Sequence, residues 1–370
     1  DMHLALTFLV IACPGALVAA APVAMIAGLG SSARRGVLIK GGERLERIVG
    51  IDTVAFDKTG TLTRGRPRVV AVEAFEGSSP QQVTAAAASA ELRSEHHLAS
   101  AILARAEADG VDPLPAHDWD LRPGQGVVAV TEDGRQAAVG NTALMRALGV
   151  AVSPEQLAAV EGREAEGETV ALVSLADRAI GLIGIADEPR PDAAQAIAAL
   201  RDAGIDRIVM LTGDNRRAAL HIGAALGIHS DHIRAGLMPD EKVGAIRDLQ
   251  ASGARVAMVG DGINDAPALA MADVSIAIGA SATRAAMEAA DIALMSNNLM
   301  RIPQAMSHSR RILRVVRQNV ALAVGVVVFL LAGVLAGRVH LASGMAVHEA
   351  SILAVTLNGM RLLKQPGRGR

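Results

Sequence analysis

The feature that most constrains this chain is an apolar run, Ile51 to Phe56, that stops at Asp57 and continues as Lys58-Thr59-Gly60-Thr61-Leu62-Thr63. A strand that ends in a carboxylate and then turns through glycine and hydroxyl side chains places a reactive group where α/β sheets present their chemistry, at the C-terminal end of a strand. A carboxylate there can attack a phosphoryl group. Lys58 would offset charge, the threonine hydroxyls and turn amides would hold phosphate oxygens, and an acyl phosphate would result.

Two later strands are expected to end in the same way. Arg207 to Leu211 stops at Thr212-Gly213-Asp214-Asn215, and Arg255 to Val259 stops at Gly260-Asp261-Gly262-Ile263-Asn264-Asp265. Helical patterns at 192–203, 216–226 and 242–251 alternate with them, which predicts a doubly wound parallel sheet that Ile51 to Phe56 begins. Parallel strands ending in Asp and Thr suit Mg²⁺, which takes oxygen ligands. Lys242, after Met238-Pro239-Asp240-Glu241, supplies a cation to bridge the attacking carboxylate and the transferred phosphate.

Taken in order, DKTGTLT, TGDN, PxxK and GDGxND resemble the haloacid dehalogenase-type phosphorylation domain of P-type ATPases. The resemblance implies that Asp57 is phosphorylated by ATP, with Lys58, Thr59, Thr212, Gly213, Asp214, Lys242 and Asn264 as catalytic residues. It implies Mg²⁺ held by Asp57, the Thr59 carbonyl and Asp261, with Asp265 counted in the magnesium set and, like Asn264, supporting the site. Phosphoryl transfer spreads charge over the γ-phosphate oxygens, and a metal, a lysine and hydroxyls placed in advance meet that charge.

Residues 67–187 read as an insertion between phosphorylation-domain halves 31–66 and 188–300. Helices are expected at 80–108 and 153–167 and strands at 126–130, 136–139 and 169–175. Glu91 and Glu95 share a helix face at i, i+4, beside Ser94 and His96. Gly124-Gln125-Gly126 and Gly140 offer backbone that a nucleotide can approach. Together they resemble the nucleotide domain of heavy-metal ATPases, where Glu, Ser-Glu-His-Pro, GxG and a later Gly follow in that order; His97 stands here in place of that Pro. By this resemblance Glu91, Glu95, His96, Gly124, Gly126 and Gly140 bind ATP. Asp187-Glu188-Pro189-Arg190-Pro191 reads as a stiff hinge leading back into the first unit.

At 51% hydrophobic, the chain holds more apolar residues than an ordinary soluble protein, and the excess sits at its two ends. Membrane spans are expected within 1–30, at 318–337 and at 339–360, separated from the middle by a basic segment, 301–317. Basic residues around Arg34 to Arg47, Arg310 to Arg317 and Arg361 to Arg370 place those flanks and the catalytic domains in the cytosol, with 361–370 a cytosolic tail. The net charge of -2 and the absence of Tyr argue against a nucleic-acid partner, and one Cys excludes a disulfide framework.

The first span carries Cys13-Pro14-Gly15, a helix break beside a soft ligand, and the third carries His348-Glu349. Heavy-metal P-type ATPases have a Cys-Pro-Cys-like triplet at the first position, and a divalent-cation subgroup has His-Glu-Gly at the second. Cys13, His348 and Glu349 therefore make the expected transported-ion set, and thiolate with imidazole and carboxylate favours Zn²⁺, Co²⁺ or Cd²⁺ over Cu⁺. The expectation is the C-terminal part of a heavy-metal exporter in a bacterial plasma membrane, surrounded by lipid. Its actuator domain and first spans would precede Asp1, since no Thr-Gly-Glu loop is present. The alternatives are a Cu⁺-transporting relative and a membrane-anchored haloacid dehalogenase-type phosphatase. The phosphatase would carry Asp at the position of Thr59.

Overall fold

The computed structural model describes residues 8, 11, 15–94, 97–262, 265–279 and 284–363. They divide into two units, one of residues 1–54, 198–206 and 246–370 and one of residues 55–197 and 207–245. The division runs through the strand Thr53–Asp57.

In the first unit, helix α1 (Gly15–Arg34) leads into β1 (Val37–Ile39), α2 (Gly42–Val49) and the start of β2 (Thr53–Asp57). The second unit holds β3 (Arg68–Ala74), α3 (Pro80–Glu91), α4 (His97–Asp109), β4 (Ala116–Arg122), β5 (Gly126–Thr131), β6 (Gln136–Gly140), α5 (Thr142–Ala147), α6 (Pro154–Ala165), β7 (Thr169–Leu175) and β8 (Arg178–Ala186). The chain then alternates through α7 (Ala193–Asp202), β9 (Arg207–Leu211), α8 (Arg216–Ala225), β10 (Ile233–Arg234), α9 (Pro239–Ala251), β11 (Val256–Gly260), α10 (Ala266–Met271), β12 (Val274–Ile278), α11 (Arg284–Ala289) and β13 (Ile292–Leu294). It ends in two long helices, α12 (Arg301–Leu335) and α13 (Leu341–Met360).

One sheet has the strand order β1-β13-β12-β11-β2-β9-β10. Its registered neighbours run parallel except for β1 on β13. Strands β2, β11 and β12 are buried at every position, as a sheet covered on both faces requires. The fold is the haloacid dehalogenase-like α/β sheet expected from the strand-end motifs.

The insertion is a six-stranded antiparallel sheet, β3-β8-β7-β6-β5-β4. Helices α3 and α4 cover one face through Val83, Ala86, Ala90 and Ile102, and α5 and α6 cover the other through Leu144, Met145 and Val160. Both α3 and α6 start at a serine cap whose side chain accepts from the amide three residues on, with the Gln at that position answering back. The expected helix over 80–108 is two helices. Among the described residues, β3, β4 and β8 join the three strands that the sequence pattern announced.

At the chain's ends, α1, α12 and α13 pack side by side. Small residues let them approach: a Cβ on Gly28 would lie 2.5 Å from the Ile312 side chain, and one on Gly359 3.2 Å from the Ala24 backbone. Asn319, fully buried, donates to Ala20 O at 3.2 Å and Val355 O at 3.0 Å and accepts from Asn358 at 2.8 Å, so one amide ties three helices. Among the described residues two helices, Gly15–Arg34 and Arg301–Leu335, are long and apolar enough to cross a membrane. The third expected span is the 20-residue helix α13, which carries His348 and Glu349. The basic segment 301–317 is helical and continuous with the apolar run that follows it.

Gly126 has φ of 146°, and a Cβ there would meet Val139 O at 2.1 Å. Gly126→Ala is expected to lower the stability of the chain by roughly 2–4 kcal/mol through strain and collision together. A thermal melt followed by circular dichroism checks this, and an unchanged midpoint would contradict the pairing.

Candidate functional site

The second unit gathers most of the catalytic residues expected from sequence. Asp57 ends β2, and the backbone then turns through 58–62, where Gly60 adopts φ of 74°. Gly65 turns back so tightly that a Cβ on it would lie 2.8 Å from the Gly60 Cα. Glycine is required at both places. Lys242, in the first turns of α9, forms a salt bridge to Asp57 Oδ1, and both side chains are less than a tenth exposed. Lys58 pairs with Asp214 at the end of β9. Thr212 is buried, its hydroxyl accepts from the Asp214 amide at 3.1 Å, and its carbonyl accepts from Leu237 N at 3.0 Å. Gly213 sits where a Cβ would crowd Leu237 O at 3.2 Å. Four charges therefore alternate in sign: the Asp57 carboxylate faces one ammonium, and the neighbouring ammonium faces a second carboxylate. The Thr61 hydroxyl is buried with no hydrogen-bond partner.

The residues that position this loop lie in the segment read as a hinge. The Arg190 guanidinium donates to Thr61 O at 2.8 Å and Gly60 O at 2.6 Å, while its amide donates to Leu62 O at 2.9 Å. Asp187 accepts from the Thr63 hydroxyl at 2.5 Å and from the amides of Gly65 at 3.1 Å and Arg66 at 3.2 Å. A β-bridge joins Thr63 to Pro189. Sequence reasoning saw two stiffening prolines here and missed the charged side chains beside them, Asp187 and Arg190. The available signal was an Arg and an Asp inside a stretch otherwise built for rigidity.

In the first unit, Asp261 follows β11 and Asp265 stands at the N-cap position of α10 without a side-chain cap bond. Asp265 is buried and its Oδ1 accepts from Gly262 N at 2.9 Å. A Cβ on Gly260 would lie 1.6 Å from Asp265 Oδ2, so this strand end closes only around glycine. Asn264 lies outside the described residues.

In the insertion, Gly126 and Gly140 face each other across β5 and β6. Each lacks a Cβ where one would strike the opposite backbone, Val139 O at 2.1 Å and Gln125 O at 2.2 Å. Gly124 is open on the Cβ side, and the Asn141 side chain donates to its carbonyl at 2.9 Å. Glu91 closes α3, buried, with Oε2 lacking a hydrogen-bond partner. Burial pushes its carboxyl pKa up, and a hydrogen bond with the Ser94 side chain pulls it partly back. Glu95 and His96 lie outside the described residues.

At the helical end of the chain, a Cβ on Gly15 would lie 3.0 Å from His348 Nε2 and 3.2 Å from Ile352 Cδ1. The imidazole occupies the space that a side chain at position 15 would fill. His348 Nδ1 is buried without a hydrogen-bond partner. Glu349, one residue on, is exposed. Cys13 lies outside the described residues, and among those described no three His, Cys, Asp or Glu side chains cluster as a metal site.

The fold and the carboxylate-bearing strand ends define a haloacid dehalogenase-like protein, and the family model of the haloacid dehalogenase-like hydrolases matches residues 51–273. Over 98% of its length the chain is 42% identical to a manganese-exporting P-type ATPase of Mycobacterium tuberculosis and 41% identical to a zinc-exporting P-type ATPase of Mycobacterium marinum, covering 50% of each. A crystal structure of a zinc-transporting PIB-type ATPase in an E2·Pi state superimposes with a TM-score of 0.79 at 38% identity, over 97% of this chain and 57% of that one. The catalytic CPx-ATPase domain CopB-B aligns at 30% identity with a TM-score of 0.59, over 75% of this chain and 98% of that domain. The chain belongs to the heavy-metal P-type ATPases. It spans about half the length of the curated relatives it matches.

Two outcomes follow from this geometry. Arg190→Met is expected to lower stability by about 2–4 kcal/mol by removing the charged-donor bonds to the Gly60 and Thr61 carbonyls. Denaturant melts check this, and an unchanged midpoint would contradict the bracing role. For Glu91, a raised folded pKa means that its contribution is favourable below the ordinary glutamate value and is lost as pH rises through the folded one. Glu91→Gln is therefore expected to leave the melting temperature unchanged near pH 4 and to raise it at about pH 7.5. A melt series across pH reads the difference.

Proposed function

We propose that the protein containing this chain is an ATP-driven exporter of a divalent heavy-metal cation that works through an aspartyl phosphate at Asp57. The observation that carries the reading is the buried pairing of Asp57 with Lys242 at the end of a strand inside the sheet. An ammonium there faces the carboxylate and can neutralise the incoming phosphoryl oxygens. An Asp57 carboxylate oxygen forms a bond to the γ-phosphorus of ATP, the bond from that phosphorus to the bridging oxygen breaks, and ADP leaves with the electron pair. Lys242 and the Thr212 and Thr61 hydroxyls hold the transferred group's oxygens, while Arg190 and Asp187 keep the loop in place.

The site's donors are carboxylate, carbonyl and hydroxyl oxygens, which fit Mg²⁺. Bound Mg²⁺ would supply charge neutralisation, with Asp57, the Thr59 carbonyl, Asp261 and Asp265 assigned to it by the family resemblance. Glu91, Gly124, Gly126 and Gly140 are proposed to form, with Glu95 and His96, the surface that receives the nucleotide. A buried carboxylate that costs stability at neutral pH is consistent with a binding role for Glu91.

For the transported ion, the His348 ring, whose Nε2 would lie 3.0 Å from a Cβ on Gly15 and whose Nδ1 is unpartnered, supports a mixed nitrogen and sulfur site with Cys13. Glu349 is exposed in this structure and is assigned to the ion path only through the His-Glu resemblance. That donor set favours a divalent ion. Zn²⁺, Co²⁺ and Cd²⁺ fit the ligands, and the relatives named for manganese and zinc export add Mn²⁺ to the candidates. A relative named as a probable copper importer from Enterococcus hirae, 42% identical over 86% of this chain, keeps Cu⁺ in the screen. The reading places the protein in a bacterial plasma membrane with its catalytic units in the cytosol.

The full-length protein given Mg²⁺ and γ-labelled ATP is expected to form a hydroxylamine-sensitive label that Asp57→Asn abolishes. A label that survives this substitution would remove the assignment. Zn²⁺, Co²⁺ or Mn²⁺ is expected to stimulate ATP hydrolysis, and His348→Ala and Cys13→Ala are expected to eliminate that stimulation. Stimulation by Cu⁺ alone would reverse the choice of ion.

A further inference from the structure

Where the helical bundle of the first unit gives way to polar sequence, a cavity of about 170 Å³ is lined by Arg311, Arg314, Val315, Gln318, Arg361 and Leu362. Three of its six lining residues are arginines and no carboxylate lines it. Like charges gathered around one space repel each other unless an anion joins them. Among the described residues neither Arg311 nor Arg314 makes a hydrogen bond or an ion pair, and Arg361 reaches only Asn358 Oδ1, at 2.9 Å. A neighbouring cavity of about 760 Å³ shares Arg311 and Arg314 and adds Arg35, whose Nη2 is buried without a partner. That cavity also contains Asp202, so the smaller one is the more purely cationic.

Its depth identifies the anion. The apolar stretch of α12 begins at Val320, six residues past Arg314, which is about 9 Å along a helix. The headgroup layer of a bilayer is roughly 5–8 Å thick on each side of the hydrocarbon. Just beyond Gln318 the outer surface of α12 is exposed and apolar, with Leu322 43% and Phe329 70% accessible. An acyl chain can lie along that surface while its phosphate reaches the arginines. At about 170 Å³ the cavity is ample for one phosphate group with its ester oxygen. Guanidinium forks match phosphate oxygens in pairs.

We propose that the cavity bounded by Arg311, Arg314 and Arg361 binds the phosphate group of an anionic phospholipid. The site tethers α12 and the end of α13 to the cytosolic leaflet. The proposal rests on the membrane placement of α1 and α12 and is independent of the transported ion and of the phosphoenzyme.

The test is native mass spectrometry of the full-length protein purified in mild detergent and exposed to phosphatidylglycerol, to phosphatidylcholine, or to phosphatidylglycerol with excess inorganic phosphate. Phosphatidylglycerol is expected to be retained in preference to phosphatidylcholine, and the double substitution Arg311→Gln, Arg314→Gln to reduce its retention roughly tenfold or more. The milder pair Arg311→Lys, Arg314→Lys keeps the charge and is expected to retain part of the binding, which guards against a variant that fails to fold. Arg338→Gln, beyond the other end of α12, is expected to leave retention unchanged. Equal retention of the two lipids, or undiminished phosphatidylglycerol in the glutamine variant, would overturn the proposal. Displacement of the lipid by inorganic phosphate would reassign the site to a free phosphate and overturn the lipid as its occupant.

Discussion

The structure of the loop that follows β2 depends on two opposite charges held away from water, the Asp57 carboxylate and the Lys242 ammonium. Removing such charges from solvent costs several kcal/mol each, and only a close and well-oriented partner offsets the cost. The pair is therefore intolerant of small displacements. A shift that lengthens the contact leaves two buried charges poorly compensated, so the backbone on either side has to be fixed. On the Lys242 side a helix fixes it, since Pro239 to Ala251 is continuous. On the Asp57 side no regular element does, because the chain turns immediately after the strand through Thr59 and Gly60.

Asp187 and Arg190 resolve that conflict. A turn through glycine has backbone carbonyls and amides that a helix or strand would have satisfied, and a buried orphan among them is costly. Arg190 supplies donors to the carbonyls of residues 60 and 61, and Asp187 supplies acceptors to the amides of residues 65 and 66. The return strand of the insertion thus carries the complement of the loop's unsatisfied groups. The order of the chain explains why they sit there: an insertion that leaves the sheet after Asp57 must come back beside it, so its final residues are the nearest side chains able to brace the turn.

Much of the sheet was legible because its strands are buried on both faces and read as short apolar runs that end in polar clusters. Strands β2, β9 and β11 were placed within a residue or two on that basis. Strand β4 was not, because Ala116 to Arg122 is an exposed edge with Asp118 at φ of 54° and an irregular register, so no alternation survives in its sequence. Strand β8 is nearly all apolar, but Gly181 and Gly184 interrupt it. Cβ atoms there would meet Glu73 O at 2.5 Å and Glu168 Oε2 at 1.9 Å. Those contacts come from distant parts of the chain, and no local pattern encodes them. The same limit applied at Gly126 and Gly140, which read as room for a ligand and also serve as room for each other.

The three helices at the ends show how a departure from a motif acquires a physical meaning once neighbours are known. The triplet Cys13-Pro14-Gly15 ends in a residue with no side chain. In the packed bundle the space that a side chain at position 15 would fill is taken by the His348 ring, whose Nε2 would lie 3.0 Å from a Cβ there. The filling of that space is then a property of two helices together, since α1 alone leaves it open and α13 supplies the ring. Close approach at Gly28, Gly344 and Gly359 and the triple bond set of Asn319 keep those helices in register, which makes the position of His348 against Gly15 a consequence of packing along the whole bundle.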